Sequence, residues 1–399
     1  MSGACSNIIL ISRAAACCLL SLFCMKTNAL ASTESRANSF VALKDFSSFA
    51  RGVGTNAEEI VMTSPIIRAE LEWNELIASW NVDAPSEAYL KFEVRPLYPE
   101  ATSKFYSLAQ WSSDGKTFSR ENLGPQRDGA GHVSTDTLIL KQPCRRFQAR
   151  ITIGGKGRKK CRVKFLGFSL SDTTATVAVL PPNRKAWGKT LDVPERSQMA
   201  YPNGKVLCSP TTVSMMMTFW SKKLGRRELD HDVPEIVDAV YDLRWDGTGN
   251  WPFNMAYVGS FPGMRAYVSR FSDVSELEDW IASGIPVGLS LCYNRLRGRD
   301  NSPPSGHLIV CVGFTPEGDV IVNDPGTSKG VRKTFPRKNL INAWAYSHNA
   351  VYLIYPEGRK VPIDRFGHWD SKTAAKFFLL EKTNSRAGEI PVHSPKSEL

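Results

Sequence analysis

Residues 201–220, YPNGKVLCSPTTVSMMMTFW, place one cysteine directly ahead of a run that predicts a helix. Four apolar side chains in that run recur at the spacing of a single helix face, namely Val213, Met216, Met217 and Trp220. Pro210 suits the first helical turn, and Gly225 predicts the end of the helix. We therefore expect Cys208 one residue before the helix cap, where the helix dipole favours a reactive thiolate. A buried structural thiol is the alternative.

A second segment, SGHLIVCVGFTPEGDVIVNDPG at 305–326, has two apolar runs on either side of TPEG and predicts a β-hairpin. If the turn has two or four residues, Asp324 lies opposite Ile309. His307 then lies two residues along the strand, on the same face as Asp324 and diagonal to it. A three-residue turn would place the two side chains on opposite faces, so the prediction depends on an even turn.

A carboxylate beside an imidazole is the arrangement that a catalytic base requires. We expect Asp324 to accept the Nδ1 proton of His307, which leaves Nε2 to take the proton of the Cys208 thiol. A buried histidine satisfied by a nearby aspartate would produce the same spacing without catalysis. The residues alone leave both interpretations open.

The first 31 residues have the order of a cleavable secretory signal: Arg13, the apolar run AAACCLLSLFC and then NALA, which ends at Ala31. The apolar run is about half the length that a membrane-spanning helix needs, so we expect an exported, periplasmic or extracellular protein with no span in its mature chain. An uncleaved N-terminal anchor is the alternative. The formal net charge of +11 falls to +9 once Arg13 and Lys26 are removed with the signal, and it would suit an anionic surface such as a cell wall or nucleic acid.

The pattern changes along the chain and predicts an α+β protein with two domains. Residues 35–172 alternate in twos between Gly and Asp turns, which predicts an all-β sandwich or jelly roll. Residues 173–197 are rich in Thr and Pro and predict a linker. Residues 198–380 mix helix and strand patterns, and 381–399 are polar and predict a disordered tail.

Five cysteines follow residue 31: Cys144, Cys161, Cys208, Cys292 and Cys311. We expect 147–153 and 161–170 to pair as a hairpin around the basic, glycine-rich stretch between them. Cys144 and Cys161 would then lie at opposite ends of their strands, roughly 26 Å apart by strand rise, which is too far for a disulfide. The stretch 154–164 carries six Lys and Arg, a pattern more typical of a solvated turn than of a binding patch.

The motifs QMAYPNGKVLCSPTT, GHLIVCVGF and VIVNDPG resemble the C39-like branch of the papain-like cysteine peptidases. That family has a Gln upstream of Cys-Gly-Pro, then Gly-His before a strand and Asn-Asp-Pro after the next strand. The resemblance covers about 190–355 and implies a papain-like domain, in which the Cys-bearing helix packs against an antiparallel sheet. It implies Cys208 as nucleophile, His307 as base, Asp324 as orienting acid and Gln198 as oxyanion donor.

The function implied is an exported cysteine peptidase or amide hydrolase that acts on a peptide or protein and needs no cofactor or metal. Trp251 and Asn254, in the loop WDGTGNWPFN, are candidates for substrate contact. Ser209 stands where many family members have Gly. Two alternatives remain: a non-catalytic surface or peptide-binding protein, and a thiol acyltransferase. The β-rich region admits a cell-surface or cell-wall ligand, and no signature of nucleotide binding is present, so we expect no nucleic-acid partner.

Overall fold

The structure, a computed structural model, describes residues 37–100 and 103–371. The predicted signal at 1–31 and the predicted tail at 381–399 lie outside the described residues. Within them the chain forms two antiparallel sheets and six α-helices. The α+β class predicted from the sequence is confirmed.

Ten strands of the N-terminal half form the first sheet: β1 (Asn38–Leu43), β2 (Ala50–Val53), β3 (Ile60–Thr63), β4 (Ile67–Asp83), β5 (Tyr89–Leu97), β6 (Tyr106–Trp111), β7 (Gln126–Arg127), β8 (Gly131–Ser134), β9 (Thr137–Gly154) and β10 (Arg162–Ser171). Strict burial alternation along β5 shows why these residues form strands, since one face meets the core and the other meets solvent. The aromatic residues Trp80, Tyr106 and Trp111 are buried in that core.

The first sheet is one connected hydrogen-bonded sheet, whereas the sequence predicts a sandwich or jelly roll. Its main path runs β1-β10-β4-β9-β3-β2, and β5 to β8 pair beside it. The long strands β4 and β9 make this possible, because each pairs with different partners along its length. β9 pairs first with β8 and β4, and later with β5 and β3.

The predicted hairpin between 147–153 and 161–170 is wrong. β4 lies between β9 and β10 in the sheet, so the two consecutive strands share a neighbour and do not pair with each other. The basic connection between them is a short 3-10 turn with several exposed lysines. All five cysteines in the described part of the chain are free thiols.

The C-terminal half contains six strands and the helices: α1 (Cys208–Leu224), α2 (Val233–Val240), α3 (Trp251–Ser260), β11 (Met264–Arg270), α4 (Val274–Ala282), β12 (Val287–Cys292), α5 (Tyr293–Leu296), β13 (Gly306–Phe314), β14 (Val320–Asn323), β15 (Arg332–Phe335), α6 (Arg337–Trp344) and β16 (Ala350–Pro356). The strands form a second sheet in the order β11-β16-β12-β13-β14-β15. α1 packs against β13, and Gly225 ends α1 in the left-handed region with φ 65°.

The later part of the predicted linker at 173–197 runs along the second sheet. Leu191 N donates to Val312 O over 2.7 Å, and Phe314 N donates to Lys189 O over 2.9 Å. The two sheets also meet directly, because Asn81 of β4 donates through Nδ2 to the carbonyl of Ala266 on β11 over 2.7 Å. The described residues fall within one compact unit, Ser35–Leu399, and the domain boundaries at 172 and 198 remain predictions.

Candidate active site

Cys208 is the first residue of α1, with Leu207 at the cap position. The sequence predicts Cys208 one residue before the cap, whereas the helix begins two residues earlier than expected and has Cys208 one residue after the cap. Thr211 N donates to Leu207 O over 3.1 Å and closes the first helical turn. The free backbone amides of this turn and the helix dipole favour negative charge at the partly exposed thiol.

His307 and Asp324 come together at one end of the hairpin formed by β13 and β14. His307 Nε2 lies 2.8 Å from Asp324 Oδ1, and the two side chains are 8% and 0% exposed. This is the same-face neighbourhood that the spacing predicts. The pair lies close to the thiol at the start of α1, since His307 acts to lower the pKa of Cys208.

The turn between β13 and β14 is not the even turn that the sequence analysis expects. Phe314 pairs with Val320, so three residues separate Thr315 from Asp319 at the tip. A bulge at Val312 then shifts the pairing by one, and Val310 lies opposite Asn323. An odd turn alone would place His307 and Asp324 on opposite faces. The bulge adds one residue to β13 and shifts the pairing back by one, so the two side chains lie on one face.

The ring nitrogens of His307 have the opposite roles to those expected. Nε2 faces Asp324, which leaves Nδ1 as the nitrogen for the Cys208 thiol. Burial disfavours the imidazolium, but hydrogen bonds to Asp324 and Cys208 outweigh it and raise the pKa of His307 to about 9. Burial likewise opposes a thiolate at Cys208, yet the hydrogen bond and charge of His307 leave the pKa of that thiol below its ordinary value. The geometry therefore favours a thiolate beside an imidazolium.

Two side chains that the sequence did not identify complete the surroundings of Asp324. Tyr293 donates through its hydroxyl to Asp324 Oδ2 over 2.7 Å, and its ring lies 4.5 Å from the His307 ring between centroids. Lys333 Nζ lies 3.1 Å from the same oxygen. No motif marks these residues; only the pairing of β12 with β13 brings Tyr293 to the His307 end of the sheet.

Gln198 lies beside the turn that follows Asp324. Its backbone N–H donates to Pro325 O over 3.0 Å, and its buried side chain donates through Nε2 to Gly204 O over 2.6 Å. Gly204 precedes the thiol by four residues, so the side chain lies between the Asp324 turn and the segment that leads into α1. One Nε2 hydrogen is used by Gly204, and a second remains.

Two family models match this chain. Residues 190–352 match the Peptidase_C39 like family, and residues 50–171 match the Peptidase C39 N-terminal domain. Residues 190–352 belong to the C39-like peptidase family. Its second sheet and helices fall in the peptidase match, and most of its first sheet falls in the N-terminal domain match.

Other comparisons add little to this C39-like peptidase. No curated protein matches it. Among solved structures, a family two carbohydrate esterase from Cellvibrio japonicus is 10% identical over 39% of this chain, with a TM-score of 0.15. The match spans 42% of the esterase chain. A TM-score this low carries no argument about fold or function.

The substrate candidates of the C39-like peptidase lie at the start of α3. Asn254 is fully buried, and its Nδ2 donates to Thr248 O and Asn250 O, each over 2.8 Å. That position is at odds with substrate contact and indicates a structural role. Trp251 is partly buried and donates through its backbone N–H to Asp136 Oδ2 over 2.9 Å, so its role remains a prediction.

Ser209 of the C39-like peptidase is buried and shares a hydrogen bond of 2.9 Å with the hydroxyl of Tyr352 on β16. The hydroxyl thus joins the start of α1 to the second sheet. Within residues 37–100 and 103–371, no group of three or more His, Cys, Asp or Glu side chains is placed to hold a metal ion. No helix in that part of the chain is long and apolar enough to cross a membrane.

Proposed function

We propose that this C39-like peptidase is a cysteine peptidase or amide hydrolase in which Cys208 is the nucleophile, His307 the acid and base, and Asp324 the orienting carboxylate. The observation that carries the proposal is the buried hydrogen bond of 2.8 Å between His307 Nε2 and Asp324 Oδ1, with His307 close enough to the Cys208 thiol at the start of α1 to lower its pKa. The lowered thiol pKa and the raised imidazole pKa support the same assignment. In this proposal the second sheet and α1 form a papain-like domain.

The chemistry would be acyl transfer through a thioester. The Cys208 thiolate attacks the substrate carbonyl carbon, and the resulting oxyanion is stabilised by the Cys208 backbone N–H and the remaining Nε2 hydrogen of Gln198. Each donor contributes about 3 kcal/mol in comparable sites. The C–N bond breaks as His307 Nδ1 gives its proton to the leaving amine. Water then attacks the thioester, His307 takes the proton of that water, and the carboxylic acid and thiolate are released.

We also propose that residues 1–31 are a cleaved secretory signal and that the enzyme acts outside the cytoplasm. The order of charged, apolar and small residues supports this. N-terminal sequencing of the protein from its native host should find Ser32 as the first residue. If the protein purified from its native host still carried residues 1–31, the proposed cleavage of a secretory signal would be contradicted.

The first test is alkylation of Cys208 by iodoacetamide between pH 4 and 9, with peptide mapping to read this thiol alone. The His307 pKa of about 9 lies above its ordinary value, so the favourable imidazolium contacts are complete below about pH 6.5 and are lost as the pH rises through 9. We therefore expect fast alkylation well below pH 8, which His307→Ala abolishes. Slow alkylation with an ordinary midpoint near 8.5 would contradict the proposal.

Product analysis separates the proposed hydrolysis from the two alternatives. Cys208→Ala should abolish turnover of any peptide that the protein cleaves, whereas a binding protein would retain its affinity and show no turnover to lose. Mass spectrometry with an added amine would reveal amide products if the thioester were passed to an amine instead of to water.

A further inference from the structure

We propose that this site selects peptide substrates with acidic side chains on the leaving-group side of the scissile bond, and that Arg297 and Arg299 recognise them. The inference rests on the proposed function, because it assigns the substrate class of the same thiol site. It is carried by the position, support and charge of the loop 297–305, which leads into the strand of His307.

The loop is in contact with the catalytic pair through one aromatic ring. The Tyr293 ring packs on His307 with 4.5 Å between centroids, and the Arg297 guanidinium lies 5.1 Å from the centroid of the same ring. A guanidinium at this distance is held by cation–π attraction. Arg297 therefore contacts the Tyr293 ring, which in turn contacts the His307 imidazole.

The backbone of this loop is well supported. Gly298 N donates to Arg295 O over 2.9 Å, and Arg299 N donates to Asn294 O over 2.8 Å. Asn294 Nδ2 also reaches across the loop to Pro303 O over 2.8 Å. Gly298 adopts φ 71°, a conformation that glycine takes without strain, so the turn presents both arginines in a defined place.

The charge of the two arginines is not neutralised. Both are exposed, and no carboxylate of residues 37–100 or 103–371 forms an ion pair with either. Asp300, the acid of the same loop, instead accepts a hydrogen bond of 2.9 Å from Asn342. Asp324 is fully buried and already has His307, Tyr293 and Lys333 as partners. The rim of the site beside His307 is therefore positive.

The charges of these arginines act on Tyr293, the partner of Asp324. Burial raises the pKa of the Tyr293 phenol, as does its hydrogen bond to Asp324, whereas the charges of Arg297 and Arg299 act in the opposite direction. An anion that approaches this rim is attracted by two cations. The low dielectric constant of the protein beneath them strengthens this electrostatic attraction. Guanidinium groups also bind carboxylates through paired hydrogen bonds.

The side of the substrate follows from the chemistry. His307 protonates the leaving amine, so the leaving-group half of the peptide lies next to His307. Arg297 and Arg299 stand on that side, beyond Tyr293. Asp or Glu within the first few residues after the scissile bond would therefore meet these arginines, while acidic residues before the bond would not.

Two small thiol reagents test the charge without a known substrate. Iodoacetate is anionic and iodoacetamide is neutral, and both alkylate Cys208. In R297Q/R299Q we expect the ratio of the iodoacetate to the iodoacetamide rate to fall about 3-fold or more at low ionic strength, because the variant lacks both positive charges of the loop. The difference should fade in high salt. The matched control K222Q/K223Q removes two exposed lysines at the other end of α1, about 22 Å from Cys208 along the helix by its rise of roughly 1.5 Å per residue, and should keep the wild-type ratio.

Digestion of a peptide library by the mature protein tests the side of the bond. We expect Asp and Glu to be enriched just after the cleaved bonds, and R297Q/R299Q to lose this enrichment. An unchanged reagent ratio, or acidic residues enriched only before the bond, would overturn the inference and leave the proposed function standing. If Cys208 in the wild type reacts no faster than in His307→Ala with either reagent, the proposed function itself fails.

Discussion

The carboxylate of Asp324 shows how single residues set the chemistry of the site. Oδ1 accepts from His307 and from the backbone of Gly326, while Oδ2 accepts from Tyr293 and Lys333. Burial alone would raise the pKa of this carboxyl, but these partners hold it well below its usual range. Asp324 therefore stays ionised and can stabilise an imidazolium at His307.

Tyr293→Phe tests the hydroxyl apart from the ring. The Phe ring keeps its packing on His307, but Asp324 loses one donor and is less firmly oriented. A hydrogen bond to a charged group contributes about 1.5 to 3 kcal/mol, so we expect the Cys208 alkylation rate at pH 6 to fall roughly 10-fold or more. Tyr293→Leu, which also removes the ring, should lower it further. Equal rates in wild type and Tyr293→Phe would leave Tyr293 with a packing role only.

At the scale of elements, the hairpin of β13 and β14 shows what sequence patterns can and cannot predict. Two apolar runs predicted both strands and, with the strand period of two, the shared face of His307 and Asp324, while apolar residues at the spacing of a helix face predicted the Cys208 helix. The pattern did not reveal the three-residue turn or the bulge at Val312, because apolar runs on both sides hide a one-residue shift. The two unpredicted features cancel, and so His307 and Asp324 share a face although the expected turn was wrong.

Long-range pairing was the other limit of the sequence. The β9–β10 hairpin was wrong because β4, from much earlier in the chain, lies between the two strands. Tyr293 was missed for a related reason, since its neighbours His307 and Asp324 are brought to it by sheet order and not by local spacing. Local sequence patterns indicate the periodicity of helices and strands and the position of turns, but they do not indicate which strands become neighbours in a sheet.

Gly313→Ala tests how β13 is held against the segment 187–191. A Cβ at Gly313 would lie 2.1 Å from the backbone carbonyl oxygen of Lys189, so the segment must move. Forced overpacking of this kind costs about 1 to 3 kcal/mol. We expect a lower urea midpoint of unfolding. Gly306→Ala on the same strand is the control, because nothing lies within 4 Å of the added Cβ, and its midpoint should stay near wild type.

At the scale of the whole molecule, the two sheets share one polar and aromatic junction. Asn81 donates to Ala266 O over 2.7 Å and accepts from Ala266 N over 3.3 Å, which extends β11 toward β4. Phe253 of α3 packs between Trp80 and Trp111, with ring centroids 6.1 and 5.4 Å away. Since α3 and β11 belong to the peptidase match at 190–352, the first sheet packs on the half of the molecule that carries Cys208.

Asn81→Ala should therefore weaken both halves together. The substitution leaves the buried Ala266 N–H and C=O without partners, at a cost of about 1 to 3 kcal/mol each in comparable cases. Two buried free thiols report the halves separately: Cys144 in the first sheet and Cys311 in the second. In wild type we expect both to become alkylatable at one urea midpoint, and in Asn81→Ala both midpoints should fall by the same amount. A fall for Cys311 alone would show that the first sheet folds independently, and that its junction with the peptidase part is a contact between separate domains.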